Sequence, residues 1–382
     1  MNADFGAAMR RALLLTRAHD VAGATRLIQN ALAGDHGAVR GEEAPAARPS
    51  ERPAPRLRKP IGEVLRRLRD GRLKIGALDP GPAMKLRREP PPVPDGAQFL
   101  SRSFTCAAGT RSYRLYIPAS APDRPRGLVV MLHGCKQDPD DFAAGTNMNT
   151  VAERHGLLVA YPCQPGAANA SSCWNWFRPA DQMRDAGEPS IIAGLTREIM
   201  SEFALGRHQV FVAGLSAGGA MAAVMGETYP DLYAAVGIHS GLAWGCANDV
   251  MSAFAAMRGE APLPQQGRRR PDAGPERTTR IIVFQGSADP VVHPSNAERI
   301  VAAASPDGSS RRTSMAGNSA GGRPYTRTIV TGSEGDPLVE YWLVEGGGHA
   351  WFGGHPGGSY TDPQGPDAAS EMVRFFLPRT DK

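Results

Sequence analysis

The 382 residues, 41% hydrophobic and 21% charged, are enough for one large globular domain with an appendage or for two ordinary domains, and they exclude a fibrous or wholly disordered chain. No apolar run reaches the length of a membrane-spanning helix. The formal charge of +5 is uneven: residues 1–100 hold 18 of the 43 Lys/Arg and 11 of the 38 Asp/Glu, so this stretch is basic and the remainder slightly acidic.

The opening residues put Asp4 ahead of Arg10 and Arg11, and the apolar run Ala12–Leu15 is too short for a secretory core, so no conventional signal peptide is expected. Residues 1–34 repeat apolar positions at helical spacing (Met9 and Leu13; Val21, Ala24, Ile28 and Ala31) and read as an amphipathic helical hairpin. Residues 35–96 are a Pro/Arg-rich linker, too poor in apolar residues to fold alone, with a short basic helix over Ile61–Lys74 and a polyproline spacer ending at Pro94. This basic region is read either as a solvated segment or as an element that docks on a granule or a protein partner; nucleic acid is not expected as a partner.

A catalytic domain is expected over 97–382. The run from Gln98 to Pro118 reads as an edge hairpin turning at Gly109-Thr110. Short apolar strands then alternate with helices. The strands are Gly127–Gly134, Leu157–Pro162, a run from Gln209 into Gly214, Ala234–Gly241 and Ile281–Gly286. The helices lie near Phe142–His155, Ser190–Phe203, Asn248–Arg258 and Pro294–Ala304, and the last strand precedes His349. Continuous apolar strands separated by helices predict a mostly parallel central sheet flanked by helices, with ligands at its carboxyl edge. Pro262–Arg280 and Ser305–Gly322 carry no core pattern and read as surface insertions. The latter leads into a hairpin that pairs Arg323–Gly332 with Pro337–Gly346.

Gly214-Leu215-Ser216-Ala217-Gly218 lies where an apolar strand meets a helix rich in small residues. A sharp strand-to-helix turn with glycines two residues either side of a serine leaves its hydroxyl above the sheet, which makes Ser216 the candidate nucleophile. Serine needs a base, and the base needs a carboxylate to fix its tautomer. Asp289 follows the strand Ile281–Gly286, and His349 stands in a glycine-rich loop after the last strand, giving the order Ser, Asp, His. His239 reads as structural or as lining the site, His133 belongs to the loop expected to supply an oxyanion donor, and His293 reads as a surface residue. The two oxyanion donors are assigned to the backbone N–H groups of Cys135, after the first central strand, and Ala217, after the nucleophile. Nothing in this chemistry needs a metal or an organic cofactor.

Five cysteines, Cys106, Cys135, Cys163, Cys173 and Cys246, lack metal-site spacing. They fit either one disulfide, read as Cys173–Cys246, in an oxidising compartment, or buried thiols in a reducing one.

Five motifs in order, Leu132–Cys135, Ala168–Phe177, Gly214–Ala222, Gly286–Val292 and Gly346–Gly354, resemble the polyhydroxybutyrate depolymerase family of esterases, itself similar to feruloyl and acetylxylan esterases. The resemblance covers roughly Ser103–Leu377. It implies an α/β-hydrolase that cleaves carboxylic esters, short-chain polyhydroxyalkanoates or their oligomers first, through an acyl-serine on Ser216, with feruloyl or acetylxylan esterase activity as the alternative. It also points to an extracellular enzyme, whereas the N-terminus reads as cytoplasmic. Trp351, and then Trp174 and Trp176, lie in these motifs and are expected to contact substrate as aromatic walls, with core packing as the other reading of the latter two.

Overall fold

The structure is a computed structural model that describes residues 91, 93–260, 279–304, 311–332 and 335–377. The expected hairpin at 1–34, the linker with its basic helix, and nearly all of the insertion at 262–280 lie outside the described residues.

The strands are β1 (Gln98–Cys106), β2 (Gly109–Ile117), β3 (Gly127–Leu132), β4 (Leu157–Pro162), β5 (Val210–Leu215), β6 (Ala235–His239), β7 (Arg280–Gly286), β8 (Arg311–Asn318), β9 (Pro324–Thr331) and β10 (Pro337–Val344). They form one sheet in the order β1-β2-β4-β3-β5-β6-β7-β10-β9-β8. From β4 to β10 every neighbouring pair is parallel, while β1, β2, β9 and β8 extend the two sides antiparallel. A two-stranded ribbon, β11 (Trp351–Phe352) with β12 (Thr361–Asp362), stands apart from this sheet.

The central strands β3, β4 and β5 are buried at every position because both faces are covered. Leu128, Val130, Val210 and Val212 face one core, packed by α3 (Gly187–Glu202), α4 (Ala217–Thr228), α5 (Val250–Met257) and α6 (Ser295–Ala304). Their neighbours Val129, Met131, Phe211 and Ala213 face a second core, packed by α1 (Pro139–Thr146), α2 (Met148–His155) and α7 (Ala368–Phe376). The period-2 alternation of a strand therefore feeds two hydrophobic layers, and this is the expected α/β-hydrolase sheet.

Two expectations are corrected here. The single helix near Phe142–His155 is two helices, because Asn147 takes a left-handed conformation (φ 53°) and starts a new turn. The insertion read over Ser305–Gly322 contains β8, whose side chains are nearly all exposed. Such an edge strand is held by its backbone pairing to β9 and leaves no hydrophobic alternation to read.

Candidate active site

The strand-to-helix turn at Ser216 is built by two close approaches. A Cβ added to Gly218 would lie 1.9 Å from the carbonyl oxygen of Leu132 on β3, and one added to Gly214 would lie 2.4 Å from the backbone of Gly218. With no side chains in the way, α4 starts against the strand ends and Ser216 is held at φ 58°, ψ −120°. A non-glycine residue in this region is strained, by about 1–3 kcal/mol, and persists only where its surroundings fix it. Here they include the Ser216 N–H, which donates to the carbonyl oxygen of His239 at 2.9 Å.

Asp289 follows β7. Its Oδ1 accepts the N–H groups of Val291 and Val292 at 2.8 and 2.9 Å, and its Oδ2 accepts from Gln285 Nε2 at 3.2 Å and from His349 Nδ1 at 2.8 Å. Burial alone would raise this carboxyl. The bond from His349, the charge of that imidazole and the two backbone donors outweigh burial and hold it below the ordinary carboxylate range. Asp289 is therefore held as a carboxylate, with one oxygen committed to His349 Nδ1.

Ser216 Oγ makes no hydrogen bond to a described residue, His349 included. The two loops are nevertheless tied together by His239. Its carbonyl receives the Ser216 N–H, and its Nε2 receives the N–H of Phe352 at 3.1 Å, three residues beyond His349. His239 is fully buried between Trp351, Phe352 and Phe284; burial first, and the nearby His349 charge second, push its pKa down to about 3. It is a neutral strut. His133 is likewise buried, with Nδ1 donating to Gly134 O at 2.8 Å and Nε2 accepting from Gln164 N at 3.0 Å, and burial lowers its pKa. His293 is exposed.

The turn after β3 leaves one amide uncommitted. Gly134 N–H donates to Gln137 Oε1 at 2.9 Å, Lys136 N–H to Ser171 O at 2.8 Å and Gln137 N–H to Gly134 O at 3.3 Å. Cys135 N–H has no partner among the described residues, nor has Ala217 N–H at the first position of α4. Among the described residues, the turn after β3 and the start of α4 thus each present an uncommitted N–H next to Ser216.

Residues 111–315 match the family described as Esterase PHB depolymerase. The chain belongs to this family. It is 32% identical over 240 residues to poly(3-hydroxyalkanoate) depolymerase C of Paucimonas lemoignei, a match covering 61% of this chain and 56% of that relative. It is 29% identical over 209 residues to acetylxylan esterase A of Talaromyces purpureogenus, covering 50% of this chain and 51% of the relative. The chain thus spans about half the length of these curated relatives. Among solved structures, acetyl xylan esterase from Aspergillus awamori shares the α/β-hydrolase fold, with a TM-score of 0.56 at 20% identity over 73% of this chain and 98% of that one.

Within this Esterase PHB depolymerase chain, two kinds of expectation fail. The disulfide is Cys135–Cys173, not Cys173–Cys246; Cys246 is a buried free thiol, raised to about 12 by burial. Cys173 is instead carried to the turn after β3, where the neighbouring Trp174 donates from Nε1 to His133 O at 3.1 Å. The tryptophans are packing residues. Trp351 is 1% exposed, stacked on His239 at 5.0 Å and edge-on to Phe142 at 5.6 Å, and Trp174 is 0% exposed, so neither offers a face to substrate. Trp176, edge-on to Phe177 at 5.6 Å, is buried in the same core. Gln137 and Gln285 were missed by the sequence reading. Gln137 stands two residues after one motif and Gln285 directly before another, and their contacts arise only once the turns have folded.

Proposed function

We propose that this chain is a serine esterase that hydrolyses carboxylic ester bonds through an acyl-serine on Ser216. His349 Nε2 takes the Ser216 proton as Oγ attacks the ester carbonyl, and the Cys135 and Ala217 N–H groups receive the oxyanion. His349 then delivers the proton to the leaving alcohol, and water attacks the acyl-enzyme by the same route. The base contributes on the order of 10²–10⁴ in rate. Each oxyanion donor adds about 3–4 kcal/mol of transition-state stabilisation. The observation that carries this reading is the Asp289–His349 hydrogen bond at the same sheet edge as the strained Ser216 turn.

Similarity to a poly(3-hydroxyalkanoate) depolymerase favours short-chain polyhydroxyalkanoate, such as polyhydroxybutyrate, or its oligomers as substrate. Similarity to an acetylxylan esterase and to a feruloyl esterase supports the second reading, acetylated or feruloylated polysaccharide. The basic N-terminal stretch fits docking on a granule or protein partner, supported by its charge alone. Rates on 3-hydroxybutyrate oligomers, methyl ferulate and acetylated xylan separate the substrates. The Ser216→Ala protein tests the chemistry, since full hydrolysis of p-nitrophenyl butyrate by that variant would exclude it.

A further inference from the structure

The turn that supplies the Cys135 donor is a short loop, and loops hold geometry poorly unless something fixes them. Gln137 is 3% exposed and spends its whole side-chain amide on this task. Its Oε1 accepts Gly134 N–H at 2.9 Å, and its Nε2 lies 3.2 Å from Asp141 Oδ2, 3.2 Å from Ser359 O and 3.3 Å from Ser359 Oγ. The acceptors around Nε2 and the donor facing Oε1 fix the orientation of the amide. Ser359 is bound in turn, its N–H donating to Asp141 Oδ1 at 3.0 Å and its hydroxyl to Asp141 Oδ2. One side chain therefore links the donor turn, the start of α1 and the segment between β11 and β12, which lies downstream of the base.

Two consequences follow for the site. By occupying Gly134 N–H, Gln137 leaves Cys135 N–H as the neighbouring amide without a partner among the described residues. The clearance is also small: a Cβ on Gly134 would sit 3.0 Å from Gln137 Oε1 and 3.6 Å from Ser216 Cβ, so any shift of this turn moves the Cys135 N–H relative to the nucleophile.

We propose that Gln137 is a positioning residue for the oxyanion hole, acting through the Gly134–Cys135 peptide without touching substrate. The proposal rests on the esterase reading of Ser216 and goes beyond it.

The test compares Gln137→Met, which keeps bulk but makes neither hydrogen bond, with Gln137→Ala on p-nitrophenyl butyrate, well below the melting temperature of each protein. Displacing a donor by a fraction of an ångström to an ångström is expected to lower kcat by about 10- to 100-fold, with KM changed less than about threefold. The inhibition constant of butylboronic acid, whose tetrahedral adduct uses the same donors, should weaken by the same factor as kcat/KM. Gln137→Met should recover thermal stability relative to Gln137→Ala without recovering kcat. Wild-type kcat and boronate affinity in Gln137→Met would overturn the proposal and reduce Gln137 to packing. Ser216→Ala in the same assay separates the two claims: hydrolysis by that variant would remove the esterase reading itself, whatever Gln137 does.

Discussion

His349 Nδ1 donates to Asp289 Oδ2 at 2.8 Å across 60 residues of sequence, and no other imidazole among the described residues is hydrogen-bonded to a carboxylate. Replacing Asp289 by Asn keeps the shape but lets the amide favour the opposite tautomer, which leaves Nε2 protonated and useless as a base. The Asp289→Asn protein should lose about 10³- to 10⁴-fold in kcat on a soluble ester, with KM little changed. Steady-state kinetics check this, and a loss below tenfold would contradict the role.

The Gly218→Ala substitution places a methyl 1.9 Å from Leu132 O, a backbone atom that cannot swing aside. The turn must open or β3 must shift. A cost of at least about 3 kcal/mol in stability is expected, together with loss of hydrolysis, because the nucleophile leaves its position. Urea denaturation and kinetics on the soluble fraction measure both.

Buried neutral histidines make stability depend on acid. An unfolded histidine takes a proton near pH 6.5, whereas His239 in the native state resists until about 3. Across that window the unfolded chain binds more protons, so stability is full above the unfolded value and falls as pH drops through it. The slope reaches about 1.4 kcal/mol per pH unit for this one group. His133 adds a contribution of the same sign, as does Asp289, whose lowered carboxyl loses its stabilisation at still lower pH. His239→Gln should flatten the dependence between about pH 4 and 6. Identical slopes for variant and wild type in denaturant titrations would refute this.

The cysteine count gives a direct check. With Cys135 and Cys173 joined, three free thiols, Cys106, Cys163 and Cys246, should react in denaturant without reductant. Closing a loop with a sequence separation of 38 residues restricts the unfolded chain by about 4 kcal/mol in the chain-entropy view. Cys173→Ser should accordingly lower the melting temperature, whereas Cys246→Ser leaves the disulfide in place; peptide mapping that showed Cys246 in a disulfide would contradict the pairing.

Trp351→Ala tests the corrected role of that residue. Removing an indole buried against His239 and Phe142 should cost about 3–5 kcal/mol of stability. A raised KM with unchanged melting temperature would restore the substrate-contact reading.

What was legible in the sequence follows physical range. β3, β4 and β5 could be read because burial on both faces makes each an unbroken apolar run, β6 and β7 because theirs is broken only at the ends, and the Ser216 turn because its glycines are demanded by contacts only a few ångströms away. Partners chosen by the folded chain left no local mark. Cys135 meets Cys173 because the loop after β4 folds back onto the turn after β3. Trp351 looked like a site aromatic from its place two residues after the base, yet the ribbon pairing of β11 with β12 turns it into the core. Asn147 breaks the α1–α2 run through its own backbone conformation, inside a hydrophobic pattern that continues on either side.

Treatment with a fluorophosphonate and mass analysis of the labelled protein asks directly whether Ser216 is an activated nucleophile. The proposed mechanism predicts one adduct per chain, mapped to the peptide containing Ser216 and suppressed in His349→Ala. A chain that takes no label, or carries it on another residue, would contradict it.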